Sequence, residues 1–192
     1  MTALDRVRNL LAKEEVRSVS RRYFISNGFD GTLTSIGVIV GAYLSGVPDG
    51  ATVVKIGLGA AVGLATSGVW SVWEIERAEK RIEIHRLERA MLTDLDDTRI
   101  QREKAGARKI NAVMSGLGPV VGILLPLVPF LLEGTTLSLF EATVAGVLVG
   151  VGVLFAFGAY LGRLSRQRWF VAGARMGLAG LVVAAINVLL PG

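Results

Sequence analysis

Cysteine is absent from this sequence, and histidine occurs once. The chain therefore has no disulfide framework, no thiolate metal site and no cysteine nucleophile. A single histidine also excludes a metal cage of several histidines within one subunit. The first 22 residues lack the apolar segment of a secretory signal, so we expect no cleaved leader.

Motifs for catalysis are missing as well. The sequence has neither a paired nucleophile and base nor a helix with the histidines and glutamate of a zinc hydrolase. Membrane phosphotransferases with an Asp-Gly motif continue into Ala-Arg and further aspartates, whereas Asp30-Gly31 is followed here by Thr32-Leu33-Thr34. We therefore expect neither an enzyme nor a bound cofactor.

Long apolar segments dominate the rest of the chain. Of the 192 residues, 52% are hydrophobic, and the mean hydropathy is +0.54, a level that soluble domains rarely reach. Five segments are long enough to cross a hydrocarbon core about 30 Å thick. The predicted fold is all-α, a polytopic membrane protein with five transmembrane helices at about 23–44, 51–73, 113–132, 137–161 and 170–190.

Charged residues divide the chain into four parts. Residues 1–22 have the pattern of an amphipathic cytoplasmic helix, 23–73 hold the first two spans, 74–109 form a short acidic helical insert, and 110–192 hold the last three spans. Lysine and arginine number six in the first part, ten in the insert and three in the loop 162–169, and the two opposite loops have none. The positive-inside rule predicts a multi-pass protein of the cell membrane, with the N-terminus and the insert in the cytoplasm and the C-terminus outside.

Two segments should interrupt regular helix. Thr93-Asp94-Leu95-Asp96-Asp97 is typical of a helix end followed by a new helix with acids in its first turn. The third span contains Pro119, Pro126 and Pro129, so we expect it to kink and its outer end to be irregular.

Asp30 is the unusual residue of the first span. It lies about two turns inside a segment that is otherwise mostly apolar or small, within Asn27-Gly28-Phe29-Asp30-Gly31. A carboxylate at that depth costs about 2.5–3.5 kcal/mol on insertion scales, so it normally faces a cavity or a partner. We interpret Asp30 as a functional acid. The alternative is a structural acid neutralised by a buried arginine, for which Arg175 in the fifth span is a candidate.

Glu76, Glu79 and Glu83 form an acidic stripe on the helix after the second span. Their spacing places them within about 60° of arc on one helix face. Carboxylates so arranged repel one another unless a cation lies among them, and an oxygen-only set suits hard or borderline divalent ions. Glu103 on the following helix could complete such a metal site. The alternative is a solvated face whose carboxylates form ion pairs with lysine and arginine one turn away.

Glycines recur at four-residue spacing in the apolar segments. This spacing places both members of a pair on one helix face and allows close helix packing within or between subunits. The pairs are Gly37/Gly41, Gly59/Gly63, Gly118/Gly122, Gly146/Gly150, Gly158/Gly162 and Gly173/Gly177.

Four motifs in order resemble the vacuolar iron transporter family over roughly residues 20–190. They are an Asp-Gly pair in the first helix, an acidic helix that continues the second span, a proline-rich third span and the start of the last helix. The matching segments are 27–41, 74–88, 117–129 and 174–180.

The resemblance implies a homodimer with the ion path between its subunits. It implies export of iron(II) or manganese(II) from the cytoplasm in exchange for protons. By motif, Asp30 matches the family's intramembrane acid, and Glu76 and Glu79 match the first glutamate pair of its cytoplasmic metal-binding domain. The second pair is not evident, because Glu83 and Glu88 are not three residues apart.

The sequence thus predicts an antiporter of a divalent transition metal. Its partners would be the metal ion, protons, the lipid bilayer and a second subunit, with no nucleic acid. The residues predicted to bind metal are Asp30, Glu76, Glu79, Glu83 and Glu103. Two alternatives stay open: a membrane scaffold without transport, in which Asp30 and Arg175 form a structural pair, and a transporter of another cation.

Overall fold

Residues 12–92 and 99–190 are described in the computed structural model, residues 99–104 by their backbone only. These residues form helices and connecting turns with no strand, which confirms the predicted all-α class for this part of the chain. The helices are α1 (Glu14–Leu44), α2 (Gly50–Met91), α3 (Arg99–Leu127), a 3-10 segment (Val128–Leu132), α4 (Leu139–Leu164) and α5 (Trp169–Leu189).

The first helix lies at the centre of the arrangement, in contact with each of the other four. It is continuous from Glu14 to Leu44, so the expected boundary between residues 22 and 23 falls inside one helix. Residues 1–11 lie outside the described part of the chain.

Four segments of the described chain are long and apolar enough to cross a membrane. They are α2, α4, α5 and residues 105–132, the last comprising most of α3 with the 3-10 segment. The first helix is not among them, because Asn27, Asp30 and several hydroxyl and glycine residues lower its hydropathy. The one long helix without such an apolar segment is therefore the one that the other four pack against.

The second helix is much longer than a membrane crossing requires. Its 42 residues extend about 63 Å at 1.5 Å per residue, about twice the thickness of a hydrocarbon core. Most residues between 77 and 91 are exposed. Helix α2 ends at Met91, with Leu92 in the left-handed region at φ 51°. The predicted break at 93–97 lies outside the described residues.

Prolines shape the end of the third span as expected. Helix α3 continues through Pro119 and Pro126 and then changes to the 3-10 segment, which contains Pro129. This confirms the predicted irregular end. Pro119 packs directly on α1, since a Cβ added at Gly31 would lie 2.6 Å from the Pro119 Cα.

Small residues and hydroxyls hold α1 against α3. A Cβ at Gly118 would overlap the backbone of Phe24. Ser20 Oγ donates a hydrogen bond to Asn111 Oδ1 at 2.7 Å, and Ser35 Oγ donates to the Ile123 carbonyl at 3.2 Å. Close contact and buried polar pairing therefore fix this helix pair.

The predicted role of the glycine pairs in close packing holds for most of them. Four pairs face another helix of the same chain: Gly118/Gly122, Gly146/Gly150, Gly158/Gly162 and Gly173/Gly177. Gly59 and Gly63 have nothing within 4 Å of an added Cβ, and Gly37 and Gly41 lie only against Asn187. Two of the six pairs, Gly37/Gly41 and Gly59/Gly63, therefore do not pack closely against another helix within the described chain.

Candidate functional site

One face of α1 carries polar side chains that the other helices leave partly uncovered. Tyr23, Asn27, Asp30 and Thr34 are spaced i, i+4, i+7 and i+11, which places them within about 60° of arc at 100° per residue. We call this stripe the Asp30 face. Asp30 is exposed and the other three side chains are half-buried. The stripe begins at the end of the molecule where α1 begins and runs toward its centre.

Asp30 has no ion pair among the residues that the structure describes. Its backbone carbonyl accepts a hydrogen bond from Thr34 Oγ1 at 2.8 Å. The Asp30 carboxylate takes no part in that bond. Arg175, the candidate partner from the sequence, is exposed on α5. A structural Asp30–Arg175 pair is thus not formed within the described chain.

Asn27 is fixed one turn before Asp30 by a network that joins three helices. Its Nδ2 donates to Ser115 Oγ at 2.5 Å and to the Ser115 carbonyl at 3.3 Å. The Ser115 hydroxyl in turn donates to the Gly68 carbonyl on α2 at 2.9 Å. Because each group is partnered, the polar side chain is held in place beside Asp30.

Glu76 lies at the start of the Asp30 face. Its side chain is buried, with 7% exposure, although it follows the second span. Tyr23 Oη donates a hydrogen bond to Glu76 Oε1 at 3.2 Å. Tyr23 precedes Asp30 by two helical turns, so this contact places one glutamate of the acidic stripe beside the polar face of α1.

The other predicted ligands lie apart from this contact. Glu79 and Glu83 are exposed on the projecting part of α2, and Glu83 Oε2 lies 3.7 Å from Lys80 Nζ. The side chain of Glu103 lies outside the described residues. Within the described part of the chain, no three acidic or histidine side chains are close enough to hold a metal ion. The structure thus associates Glu76 with the Asp30 face and leaves Glu79 and Glu83 on an open helix surface.

Polar groups also continue beyond Asp30 toward the other end of the molecule. Gly37 and Gly41 lie two and three turns further along the same face. The Asn187 side chain of α5 lies against them, with its Nδ2 3.6 Å from a Cβ added at Gly37. Asn187 Nδ2 donates to the Val183 carbonyl at 2.9 Å. Side chains capable of hydrogen bonding therefore occur along this face from Glu76 to Asn187.

Sequence reasoning missed Tyr23, Ser115 and Asn187 as neighbours of the site. The signal for Tyr23 was available, because its spacing from Asn27 and Asp30 is that of one helix face. The contributions of Ser115 and Asn187 depend on which helices are neighbours, and that is decided only by packing.

Comparisons with known proteins support the family resemblance, and three of the four motif segments lie within the residues matched. The sequence model of the VIT family matches residues 71–191. An uncharacterized protein of the archaeon Methanocaldococcus jannaschii is 26% identical over 168 residues, which cover 86% of this chain and 85% of that protein. No solved structure matches.

Proposed function

Because this chain belongs to the VIT family, we propose that it exports iron(II) or manganese(II) from the cytoplasm in exchange for protons. Membership indicates a membrane transporter of metal ions rather than an enzyme. The choice of metal, the direction and the proton coupling are the parts that we add. The metal ion is cargo here and not a resident cofactor.

The observation that carries the proposal is the uncovered Asp30 face. In an isolated chain it would expose a carboxylate to lipid, at a cost of a few kcal/mol. A charge in that position normally faces a water-filled passage or another protein surface. Asp30 has no cation beside it among the described residues, so its carboxylate is available to a metal ion or a proton.

We propose that the Asp30 faces of two subunits meet in a homodimer. Twofold symmetry would bring two copies of the stripe together and remove both from lipid. Gly37 and Gly41, against which only Asn187 lies, add no side chain that would keep the two subunits apart beyond Asp30. The path for the ion would then run between the subunits.

Residue roles follow from position along this path. Asp30 would bind the metal or exchange the proton inside the membrane. Glu76, with Tyr23, would lie at the entrance. Glu79, Glu83 and Glu103 would collect metal ions on the projecting helices, where carboxylate oxygens suit hard and borderline divalent ions.

Flux through purified protein tests the proposal. The protein is reconstituted in liposomes loaded with a metal-sensitive dye, and uptake of Mn(II) and Fe(II) is recorded with and without a pH gradient. We expect metal flux above that of empty liposomes, accelerated when the gradient drives protons in the opposite direction. Absence of flux for every divalent metal would favour the scaffold, and flux of a different cation would favour the second alternative.

The chain's lack of cysteine allows a separate test of the dimer. A Thr34→Cys variant places one thiol per subunit on the Asp30 face. The proposed dimer brings these two thiols together, so we expect oxidation to give a covalent dimer. A disulfide requires the two Cα atoms to lie within about 7 Å of each other, so it forms only if the faces meet. Leu148→Cys on α4, where the side chain is 63% exposed, is the control. Equal cross-linking of both variants would argue against this interface.

A further inference from the structure

A cavity of about 470 Å³ lies between α1, α4 and α5, at the end of the molecule where α1 begins. Most of its wall is apolar. Ile25 and Phe29 of α1, Leu161 of α4 and Met176 of α5 line it. An apolar wall of this kind favours a hydrocarbon chain over a soluble polar ligand.

The same cavity is lined by two cations and two hydroxyl groups. Arg21 and Arg22 are adjacent on α1, and Ser18 and Ser26 lie one turn to either side. The cavity lining includes no carboxylate. Neither arginine forms an ion pair among the described residues, although the Arg22 guanidinium lies 5.7 Å from the centre of the Tyr23 ring. The cavity thus combines an apolar wall with uncompensated positive charge.

We propose that this cavity binds an anionic phospholipid. Its phosphate would accept hydrogen bonds from Arg21 and Arg22, because guanidinium groups bind phosphate oxygens in a planar, often bidentate geometry. One acyl chain would lie against Ile25, Phe29 and Met176. The two arginines immediately precede the predicted first span, which is the level at which headgroups and basic side chains meet.

The lipid would connect the helix that carries Asp30 to α4 and α5. Ser26, which lines the cavity, lies one turn before Asp30 on α1. Binding of the lipid would therefore hold this part of α1 against its neighbours. The inference concerns a site that the transport proposal does not use, and it does not depend on that proposal.

Native mass spectrometry of the detergent-purified protein tests the site. Phosphatidylglycerol and phosphatidylcholine are added separately, and the lipid bound per protein is counted. We expect retained phosphatidylglycerol adducts on the wild type and about tenfold weaker binding to Arg21→Gln/Arg22→Gln, since each basic residue contributes to attraction of anionic lipid. Equal binding of both lipids to the wild type would overturn the proposal.

A matched variant separates a specific site from general surface charge. Arg166→Gln/Arg168→Gln removes two exposed cations in the loop next to α4, without touching the cavity lining. We expect this protein to bind phosphatidylglycerol like the wild type. An equal loss in both double variants would overturn the proposal, as would a change in oligomeric state of Arg21→Gln/Arg22→Gln with lipid binding intact, which would assign the cavity to a second copy of the chain.

Two further measurements address the acyl chain. Ser26→Phe introduces bulk on the Ile25 and Phe29 side of the cavity while both arginines remain, so we expect weaker phosphatidylglycerol binding than in Ser26→Ala. Inorganic phosphate at millimolar concentration should not displace the lipid. Displacement by phosphate alone, or unchanged binding in Ser26→Phe, would show that the apolar wall holds no acyl chain and would overturn the assignment to a lipid.

Discussion

At the scale of single residues, the proposed transport depends on a few polar side chains of α1. Asn27 is held by Ser115, Tyr23 is held by Glu76, and Thr34 bonds to the backbone. Asp30 alone in this stripe has a side chain without an ion pair or a hydrogen bond among the described residues. Asp30 is therefore the member of this stripe whose side chain the described fold does not use.

We predict that Asp30→Asn abolishes metal flux and leaves the protein stable. Asparagine keeps the size of the side chain and its capacity for hydrogen bonds, but it cannot supply the negative charge that a cation requires. The measurements are liposome flux and the melting temperature of the purified protein.

Arg175→Gln and the double variant are the controls for that prediction. Because Asp30 and Arg175 are not paired in the described chain, the double variant should be as stable as Asp30→Asn. Instability of Asp30→Asn that the second change repairs would instead support a structural ion pair. Normal flux in a stable Asp30→Asn protein would remove Asp30 from the transport path.

The close packing of Gly31 on Pro119 leads to a second prediction at the residue scale. Alanine there would press its Cβ against the Cα of Pro119, which is backbone and cannot rotate away. We expect Gly31→Ala to lower the free energy of unfolding by about 1–3 kcal/mol. Gly59→Ala is the matched control, because nothing lies within 4 Å of its Cβ, and alanine favours a helix over glycine by up to about 1 kcal/mol. Thermal unfolding should order the proteins Gly31→Ala, wild type, Gly59→Ala, and equal destabilisation of both variants would contradict the packing of α1 on α3.

At the scale of elements, α2 combines two environments in one helix. Its first part is apolar enough to cross a membrane, and its last part projects with exposed carboxylates. Glu76 marks the transition, because it is the buried carboxylate beside Tyr23. One helix therefore brings Glu76, the first carboxylate of the acidic stripe, to the start of the Asp30 face and leaves Glu79 and Glu83 exposed beyond it.

We predict that replacing Glu76, Glu79 and Glu83 together by glutamine weakens Mn(II) or Fe(II) binding and leaves folding intact. Glutamine removes the charge that attracts the ion, and its carbonyl at position 76 can still accept a hydrogen bond from Tyr23. Titration calorimetry and circular dichroism are the measurements. Glu74→Gln/Glu88→Gln, which changes carboxylates elsewhere around the same helix, is the control. Identical metal binding by the triple variant and the wild type would show that the acidic stripe is only a solvated helix face.

At the scale of the whole molecule, the distribution of lysine and arginine and the packing of the helices are two separate observations. Lysine and arginine are concentrated in residues 1–22, 74–109 and 162–169. The described parts of these segments adjoin one end of the bundle, where Tyr23 contacts Glu76, Ser20 contacts Asn111, and Arg21 and Leu164 line one cavity. The packing adds that α1 contacts all four other helices. An up-and-down bundle with one strongly basic end follows from the two together.

Topology is the prediction at this scale. If α1 also crosses the membrane, five crossings place the two termini on opposite sides. A reporter fused to the C-terminus should be active outside the cytoplasm, and labels introduced into the projecting part of α2 should be reached only from the cytoplasm. A cytoplasmic C-terminus would mean an even number of crossings. The first candidate to lie outside the bilayer would be α1, which has no segment as apolar as those of the other four helices.

Sequence alone determined the helical class, the positions of four of the five predicted apolar spans and the irregular end around Pro129, because hydropathy and proline act locally. It also singled out Asp30, since one acid in an apolar segment is visible without coordinates. Only the tertiary structure decided that Glu76 is buried against Tyr23 while Glu79 is exposed, because those carboxylates share a helix face and differ solely in what packs against them. The same holds for the glycine pairs: identical spacing puts Gly118 in contact with α1 and leaves Gly59 facing open space, since contact depends on the neighbouring helix and not on the pattern.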